Sequence, residues 1–283
     1  MAKVVTDDSH YKAIANAIRG RGFPEFKDET FTPSAMAEAI NMTCDFEYIK
    51  GLEEGGGYTE EDIAEAIEQG KQTEYDRFWD AYQQNGTLTN YERVFAGRGW
   101  TAETFKPKYD IVPTACTQMF SANALLNCDL DELAANAGIK IDFSKAASFI
   151  ETFNYTHLIA VGTIDTRSAT GLQYIFSYSQ KMQTIRLLIL KDDGSQIFGN
   201  NSFMSCSALV KLTIQGVIGT TGANLQWSTK LSKASITSVV NALSSATSGL
   251  SITLSKTAVN AAFTTDEWNT LAGTKTNWTI NLV

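Results

Sequence analysis

The sequence has few of the residues that build metal sites, disulfide frameworks and basic surfaces. Its 283 residues include only four cysteines and two histidines, without a C-x-x-C pair. A zinc site needs such ligands clustered at short spacing, so we expect buried thiols and no metal or cofactor. Lysine and arginine number 23 against 31 acidic residues, a net charge of −8. This balance argues against a nucleic-acid partner.

Long apolar runs are also missing. No run approaches the roughly 18 residues that a membrane-spanning helix needs, and the opening stretch MAKVVTDDSH lacks the apolar core of a secretory signal. The sequence therefore predicts a soluble protein that is assembled in a cytoplasm and does not insert into membranes. Its charge is uneven: residues 1–110 hold 21 acidic and 12 basic side chains, and the remainder hold 10 and 11. This asymmetry predicts two electrostatically different parts.

Residues 1–46 are predicted to form a small helical attachment module. Helical spacing places Ile14 and Ile18 on the apolar face of one short helix, and Met36 and Ile40 on that of a second. Two short helices cannot bury much apolar surface by themselves. These four residues are therefore predicted to form an attachment or oligomer face that packs on another part of the chain or on another chain.

Residues 47–95 are predicted to be a linker followed by a long amphipathic helix. The glycines at 55–57 interrupt the chain, and Thr59 is a suitable N-cap for the helix. Phe78 and Trp79 belong to an aromatic stripe on this helix. The stripe is predicted to dock on the next domain or on sister chains, and the alternative is a ligand-binding aromatic box.

Residues 96–283 contain a recurring pattern of apolar residues. Its copies begin 24 and 27 residues apart, and a phenylalanine precedes each copy by five or six residues. A period of about 20 to 29 residues with one short strand per unit is typical of leucine-rich repeats, which bury their core by stacking. The alternative is three unrelated strands of an α/β domain. The three copies are Leu158-x-x-Val161-x-Thr163, Met182-x-x-Ile185-x-Leu187 and Leu209-x-x-Leu212-x-Ile214, after Phe153, Phe176 and Phe203.

The predicted fold class is thus α+β with a repeat region: the helical module, the long helix, and then a leucine-rich-repeat-like solenoid of short parallel strands. A helix–strand–helix–strand cap is expected to close the solenoid from about residue 228. Its elements are predicted near 232–243, 250–254 and 257–263 and in the final NWTINLV stretch. The residues expected to face inward in the strands are Leu187, Ile189, Leu212 and Ile214.

Several segments resemble tail and fibre proteins of phages that infect Gram-positive gut bacteria. They are YKAIANAIRGRG, FTPSAMAEAI, GKQTEYDRFWDAYQ, GWTAETFKPKY and the stretch LSKASITSVVNALSSATSGLSITLSKTAVNAAF. The region from Phe203 to Ile214 resembles the BspA type of leucine-rich repeat. The resemblance implies a non-enzymatic structural protein of the virion. It also implies attachment to other virion proteins through the N-terminal part, a homotrimer, and recognition of a glycan or protein on the host cell surface.

Candidate receptor-binding residues stand immediately before consecutive strands, where they are not committed to the core. They are Tyr155, His157, Tyr178 and Gln180. Stacking of the units is expected to bring equivalent positions together along one edge, and tyrosine offers rigid area with a hydroxyl. The alternative is that the tyrosines pack between units.

Two other functions remain open. One is a head or baseplate decoration protein that binds no receptor. The other is a polysaccharide depolymerase, which needs two carboxyl groups roughly 5 to 10 Å apart. The candidate acids for such a pair are Glu132, Asp142, Glu151 and Asp165.

Overall fold

The computed structural model describes residues 76–199 and 201–283, and a compact unit begins at Trp79. Residues 76–82 are helical and a short 3-10 turn spans Gln84–Gly86. The helices of the compact unit are α1 (Leu130–Asn136), α2 (Lys233–Ala242), α3 (Lys256–Ala262) and α4 (Thr265–Gly273). Its strands are β1 (Ala160–Asp165), β2 (Thr184–Ile189), β3 (Lys211–Gln215), β4 (Asn224–Leu225), β5 (Leu250–Leu254) and β6 (Trp278–Leu282).

Each of the four helices begins at a residue whose side chain satisfies a free backbone N–H. Asp129 accepts a hydrogen bond from the Asp131 N–H at the start of α1. Ser232 and Ser255 cap α2 and α3 in the same way. At α4, Thr264 and Glu267 form a reciprocal capping box. Local polar residues therefore set where these helices begin.

The six strands form two separate parallel sheets, with the orders β1-β2-β3 and β4-β5-β6. In the first sheet Ile185 of β2 lies opposite Val161 of β1 and Leu212 of β3. These three side chains are at most 1% exposed. The first sheet therefore turns this face into the core.

The predicted leucine-rich-repeat-like solenoid is wrong as a description of the fold. The described chain is a mixed α/β structure with two small three-stranded parallel sheets instead of one continuous array. The first sheet ends at β3 because α2 occupies its free edge. The hydroxyls of Ser235 and Ser238 accept hydrogen bonds from the N–H groups of Leu212 and Ile214, each at 2.9 Å. These two donors are then no longer available to a fourth strand.

The opposite edge of this sheet is closed by α1. The Asp131 carboxylate accepts a hydrogen bond from the Gly162 N–H of β1. Only glycine leaves room for this contact, because a Cβ at residue 162 would lie 1.8 Å from an Asp131 oxygen. Arg186 of β2 pairs with both Asp129 and Asp131. Side chains thus protect both edges of the first sheet from further strand pairing.

Three of the four strand residues predicted to face inward, Leu187, Ile189 and Ile214, are only half-buried. In β2, Ile185 and Leu188 are fully buried instead of Leu187 and Ile189. The cause is an irregularity in the pairing of β2 with β3 between Ile185 and Leu188. Such a break shifts the two-residue alternation of side chains to the other phase. In β3, Leu212 is buried and Ile214 is half-buried against the core.

The predicted C-terminal cap also needs correction. Its helices and strands span Lys233–Ala242, Leu250–Leu254, Lys256–Ala262 and Trp278–Leu282, with the additional helix α4 between the last two. The strands of this region do not extend the first sheet, since β5 pairs in parallel with β4 and β6. The C-terminal part is therefore a second small sheet with its own helices.

A ladder of buried phenylalanine rings runs through the core. Consecutive ring centroids lie 5.3, 5.6, 5.5 and 5.4 Å apart. Each ring belongs to a tight turn, and the backbone of one turn donates to the next: the Phe120 N–H to Thr152 O at 2.8 Å, and the Phe153 N–H to Ile175 O at 2.8 Å. The ladder therefore fixes the turns relative to one another. Its members are Phe95, Phe120, Phe153, Phe176 and Phe203.

Candidate binding surface

The structure brings two of the candidate receptor-binding residues into direct contact. The rings of Tyr155 and Tyr178 are stacked, with centroids 4.4 Å apart and planes inclined by 9°. Each tyrosine follows a ladder phenylalanine by two residues, so the registered turns carry both to the same side. Tyr155 is 53% exposed and Tyr178 is half-buried. The pair is thus a surface feature held by the core ladder.

The two tyrosines belong to a longer row of equivalent positions, which we call the tyrosine row. Backbone hydrogen bonds join its turns: the Ala122 N–H donates to Asn154 O at 2.9 Å, and the Tyr155 N–H donates to Ser177 O at 2.9 Å. Every member has a left-handed backbone, with φ between 52° and 59°. The members in chain order are Gly97, Ala122, Tyr155, Tyr178 and Ser205.

Left-handed backbone is unfavourable for bulky side chains, by about 1 to 2 kcal/mol per residue. Glycine adopts it freely, and glycine is the residue at the first position of the row, Gly97. Tyr155 and Tyr178 therefore stand where the backbone alone favours glycine. Their stacking offsets part of the cost, since an aromatic pair contributes about 0.5 to 1.5 kcal/mol. Residues held in such conformations are concentrated at functional sites.

The other two candidates flank the tyrosine pair along the chain. His157 is half-buried and its backbone N–H donates to Asn123 O at 3.1 Å. Gln180 is exposed, and its backbone N–H donates to Tyr178 O at 2.9 Å. No contact joins the side chains of these two residues to the tyrosine rings among the described hydrogen bonds. The pair of tyrosines is therefore the center of the candidate surface.

A second row of left-handed residues accompanies the tyrosine row, four positions before Gly97, Ala122, Tyr155 and Tyr178; it begins at Arg93, with φ 56°. The side-chain amide of Gln118 donates to the Glu151 carboxylate at 2.6 Å, which joins two turns of this row. Tyr174 is its next member and is 40% exposed. The three residues have φ values of 55°, 56° and 57°. Sequence reasoning missed both rows because tyrosine, alanine, glutamine and glutamate are not residue types that favour a positive φ.

Of the residues predicted for the oligomer or attachment face, Ile14, Ile18, Met36 and Ile40 lie outside the described residues. Phe78 is 44% exposed and Trp79 is 1% exposed. The Trp79 ring is stacked on Trp100 at 5.3 Å and meets Phe105 edge-on at 5.7 Å. Trp79 is therefore part of the core of the compact unit.

Three of the four acids considered for hydrolysis, Asp142, Glu151 and Asp165, are engaged in local contacts. Arg167 donates hydrogen bonds to Asp165 and lowers the pKa of that carboxyl. The backbone N–H of Ser144 lowers the pKa of Asp142 in the same way. Glu151 accepts the amide of Gln118. A general acid for glycoside cleavage needs a raised pKa, and the Asp142 and Asp165 carboxyls show the opposite shift.

The three cysteine thiols in the described part of the chain are poor nucleophiles, because burial keeps them protonated. Burial raises the pKa of Cys116 and of Cys206 to about 12, and that of Cys128 to about 11. Thiolate is the nucleophile and metal ligand, so these cysteines serve as apolar core residues. Within the described ranges, no three His, Cys, Asp or Glu side chains are grouped as a metal ion would require.

The described part of the chain has no helix of the length and apolarity that crossing a membrane would take. Comparison with protein-family models, with curated proteins and with solved structures finds no match for this chain.

Proposed function

We propose that the chain is a non-enzymatic virion protein of the tail-fibre or receptor-binding kind. Its N-terminal part attaches to other virion proteins and associates into a homotrimer, and the unit from Trp79 onward presents a recognition surface to the host cell. The phage assignment is supported by the resemblance of the segments quoted above. The recognition role is supported by one structural observation, the exposed stack of Tyr155 and Tyr178.

The tyrosine stack suits recognition because it is exposed at the surface and because its backbone conformation is unfavourable for tyrosine. Buried anchors of binding interfaces are enriched in tyrosine, which combines rigid apolar area with a hydroxyl. Tyr155 exposes about half of its surface while its backbone remains in a conformation that favours glycine. A tyrosine that served only for packing would bury little surface at this exposed position. A tyrosine that binds a ligand is held there in one orientation by the backbone and by the stacked ring.

Cosedimentation with a panel of Gram-positive gut bacteria tests the proposal. The double variant Tyr155→Gly/Tyr178→Gly should lose binding by thirtyfold or more, since aromatic anchors contribute about 2 kcal/mol or more each. Its melting temperature should change little, because glycine relieves the backbone strain as the ring contacts are lost. The matched control is Tyr174→Gly, which removes a tyrosine that is 40% exposed at φ 57° and should leave binding unchanged.

Other outcomes separate the competing functions. An intact chain that sediments with none of the strains contradicts the recognition role and favours a decoration protein. New reducing ends after incubation with cell-wall glycan indicate a depolymerase. A melting temperature lowered by many degrees in the double variant means that the tyrosines act as core residues. A monomer in light scattering of the intact chain at micromolar concentration contradicts the homotrimer.

A further inference from the structure

The tyrosine stack has two unequal outer faces. Tyr178 lies on the side of Tyr155 that leads toward the C-terminal turns, and it covers one face of the Tyr155 ring. The other face of Tyr155 is directed toward the preceding turn, whose equivalent residue is Ala122. Alanine ends at Cβ, so the row itself places no ring there. The 53% exposure of Tyr155 agrees with one open face.

The open face continues into a shelf two turns deep. Beyond Ala122 the row reaches Gly97, where an added Cβ would meet no atom within 4 Å. The turns of the core ladder are spaced so that successive rings lie 5.3 to 5.6 Å apart. Along the tyrosine row itself, the rings of Tyr155 and Tyr178 stack at 4.4 Å, so a flat ring held over Ala122 would stack on Tyr155 in the same way.

We infer that this shelf, formed by Gly97, Ala122 and the outer face of Tyr155, is a subsite for one pyranose ring of an uncharged glycan. The C–H face of a pyranose is apolar and flat enough to stack on tyrosine, while its hydroxyls point to the rim. No member of the tyrosine row is charged. The row therefore offers no ion pair to an anionic polysaccharide or a nucleic acid. The inference rests on the proposed function, because it names the ligand of the same tyrosine pair.

The test uses the full chain on a printed array of neutral oligosaccharides, with Ala122→Tyr as the main variant. The row already accepts tyrosine at the same left-handed backbone in two turns, so this variant should fold. Its new ring should stack on Tyr155 and fill the shelf. We expect the unaltered chain to bind at least one neutral glycan, and Ala122→Tyr to weaken that binding tenfold or more. Tyr155→Gly should have the same effect, and Tyr174→Gly, which alters an exposed tyrosine outside the tyrosine row, should bind as the unaltered chain does.

Either of two array results overturns the inference: binding to no neutral glycan, or equal binding by the unaltered chain and Ala122→Tyr. Cell binding distinguishes this failure from failure of the proposed function. Cells that are bound without any glycan signal, and lose binding after protease but not periodate treatment, indicate a protein receptor; the function then stands and the pyranose subsite does not. Glycan binding that Ala122→Tyr abolishes, without binding to any cell, supports the subsite and contradicts the receptor role.

Discussion

Replacement of Phe153 tests whether the phenylalanine ladder is the main support of the compact unit. The ring is fully buried and stacks between Phe120, at 5.6 Å and 5°, and Phe176, at 5.5 Å and 8°. Phe143 meets it edge-on at 5.9 Å. Truncation of a buried phenylalanine to alanine costs about 3 to 5 kcal/mol. Three ring contacts, each of about 0.5 to 1.5 kcal/mol, place Phe153→Ala near the upper end of that range.

The variant Phe153→Leu separates burial from ring stacking. Leucine keeps most of the apolar area but loses the ring contacts, so we expect a loss of about 1 to 3 kcal/mol. Phe198 is the matched control, because it is 2% exposed but contacts only one other ring among the described residues, that of Phe203 at 6.2 Å. Phe198→Leu should cost at least about 1 kcal/mol less. Urea unfolding followed by near-ultraviolet circular dichroism measures both. Equal midpoint shifts at unchanged m-value would refute the stacking argument.

Ser235→Ala removes the acceptor of a buried β3 N–H, so we expect a loss of about 1 to 3 kcal/mol and faster amide exchange in β3; an unchanged urea midpoint would contradict this. Gly216→Ala places a Cβ 2.3 Å from a backbone carbonyl oxygen at φ +94°, whereas Gly249→Ala at φ +75° meets open space. The melting temperature should therefore fall clearly further in the first variant, and equal shifts would contradict the steric argument. Asp129 has a lowered pKa because Arg186 donates to it. The carboxyl of the unfolded chain binds protons more readily, so the free energy of unfolding decreases as the pH falls from about 5 through the pKa of the folded state. In Asp129→Asn this free energy should fall less steeply with acid. The same slope in both proteins would be evidence against this ion pair.

The positions of the buried apolar residues follow from local spacing, which a sequence shows directly. Leu158, Met182 and Leu209, which begin the three pattern copies, are all fully buried. The extent of the sheet does not follow from such spacing. It depends on two helix serines, Ser235 and Ser238, meeting the edge of a strand more than twenty residues away in sequence. Serine in a helix usually indicates only weak helix propensity, so nothing local signals this contact.

Helix α4 has a recognisable signal in the sequence, whereas the left-handed backbone of the two tyrosines has none. Helix α4 was missed because it buries no residue, although Thr264 followed by Glu267 three positions later is a recognisable capping box. The left-handed backbone of Tyr155 and Tyr178 has no sequence signal, because a tyrosine at positive φ is rare. It is evident only when the turns are aligned with Gly97 at the equivalent position.

The segments that connect the ladder phenylalanines differ in length, whereas the distances between the rings are nearly constant. Successive ladder phenylalanines are 25, 33, 23 and 27 residues apart in the chain, yet their ring spacing varies only between 5.3 and 5.6 Å. The longest of these segments accommodates α1 without moving the rings apart. Lengthening a connecting segment costs little, about 0.6 kcal/mol per doubling. Insertions and grafted loops should therefore be tolerated between the turns, so that new surface can be acquired while the exposed rows keep their geometry.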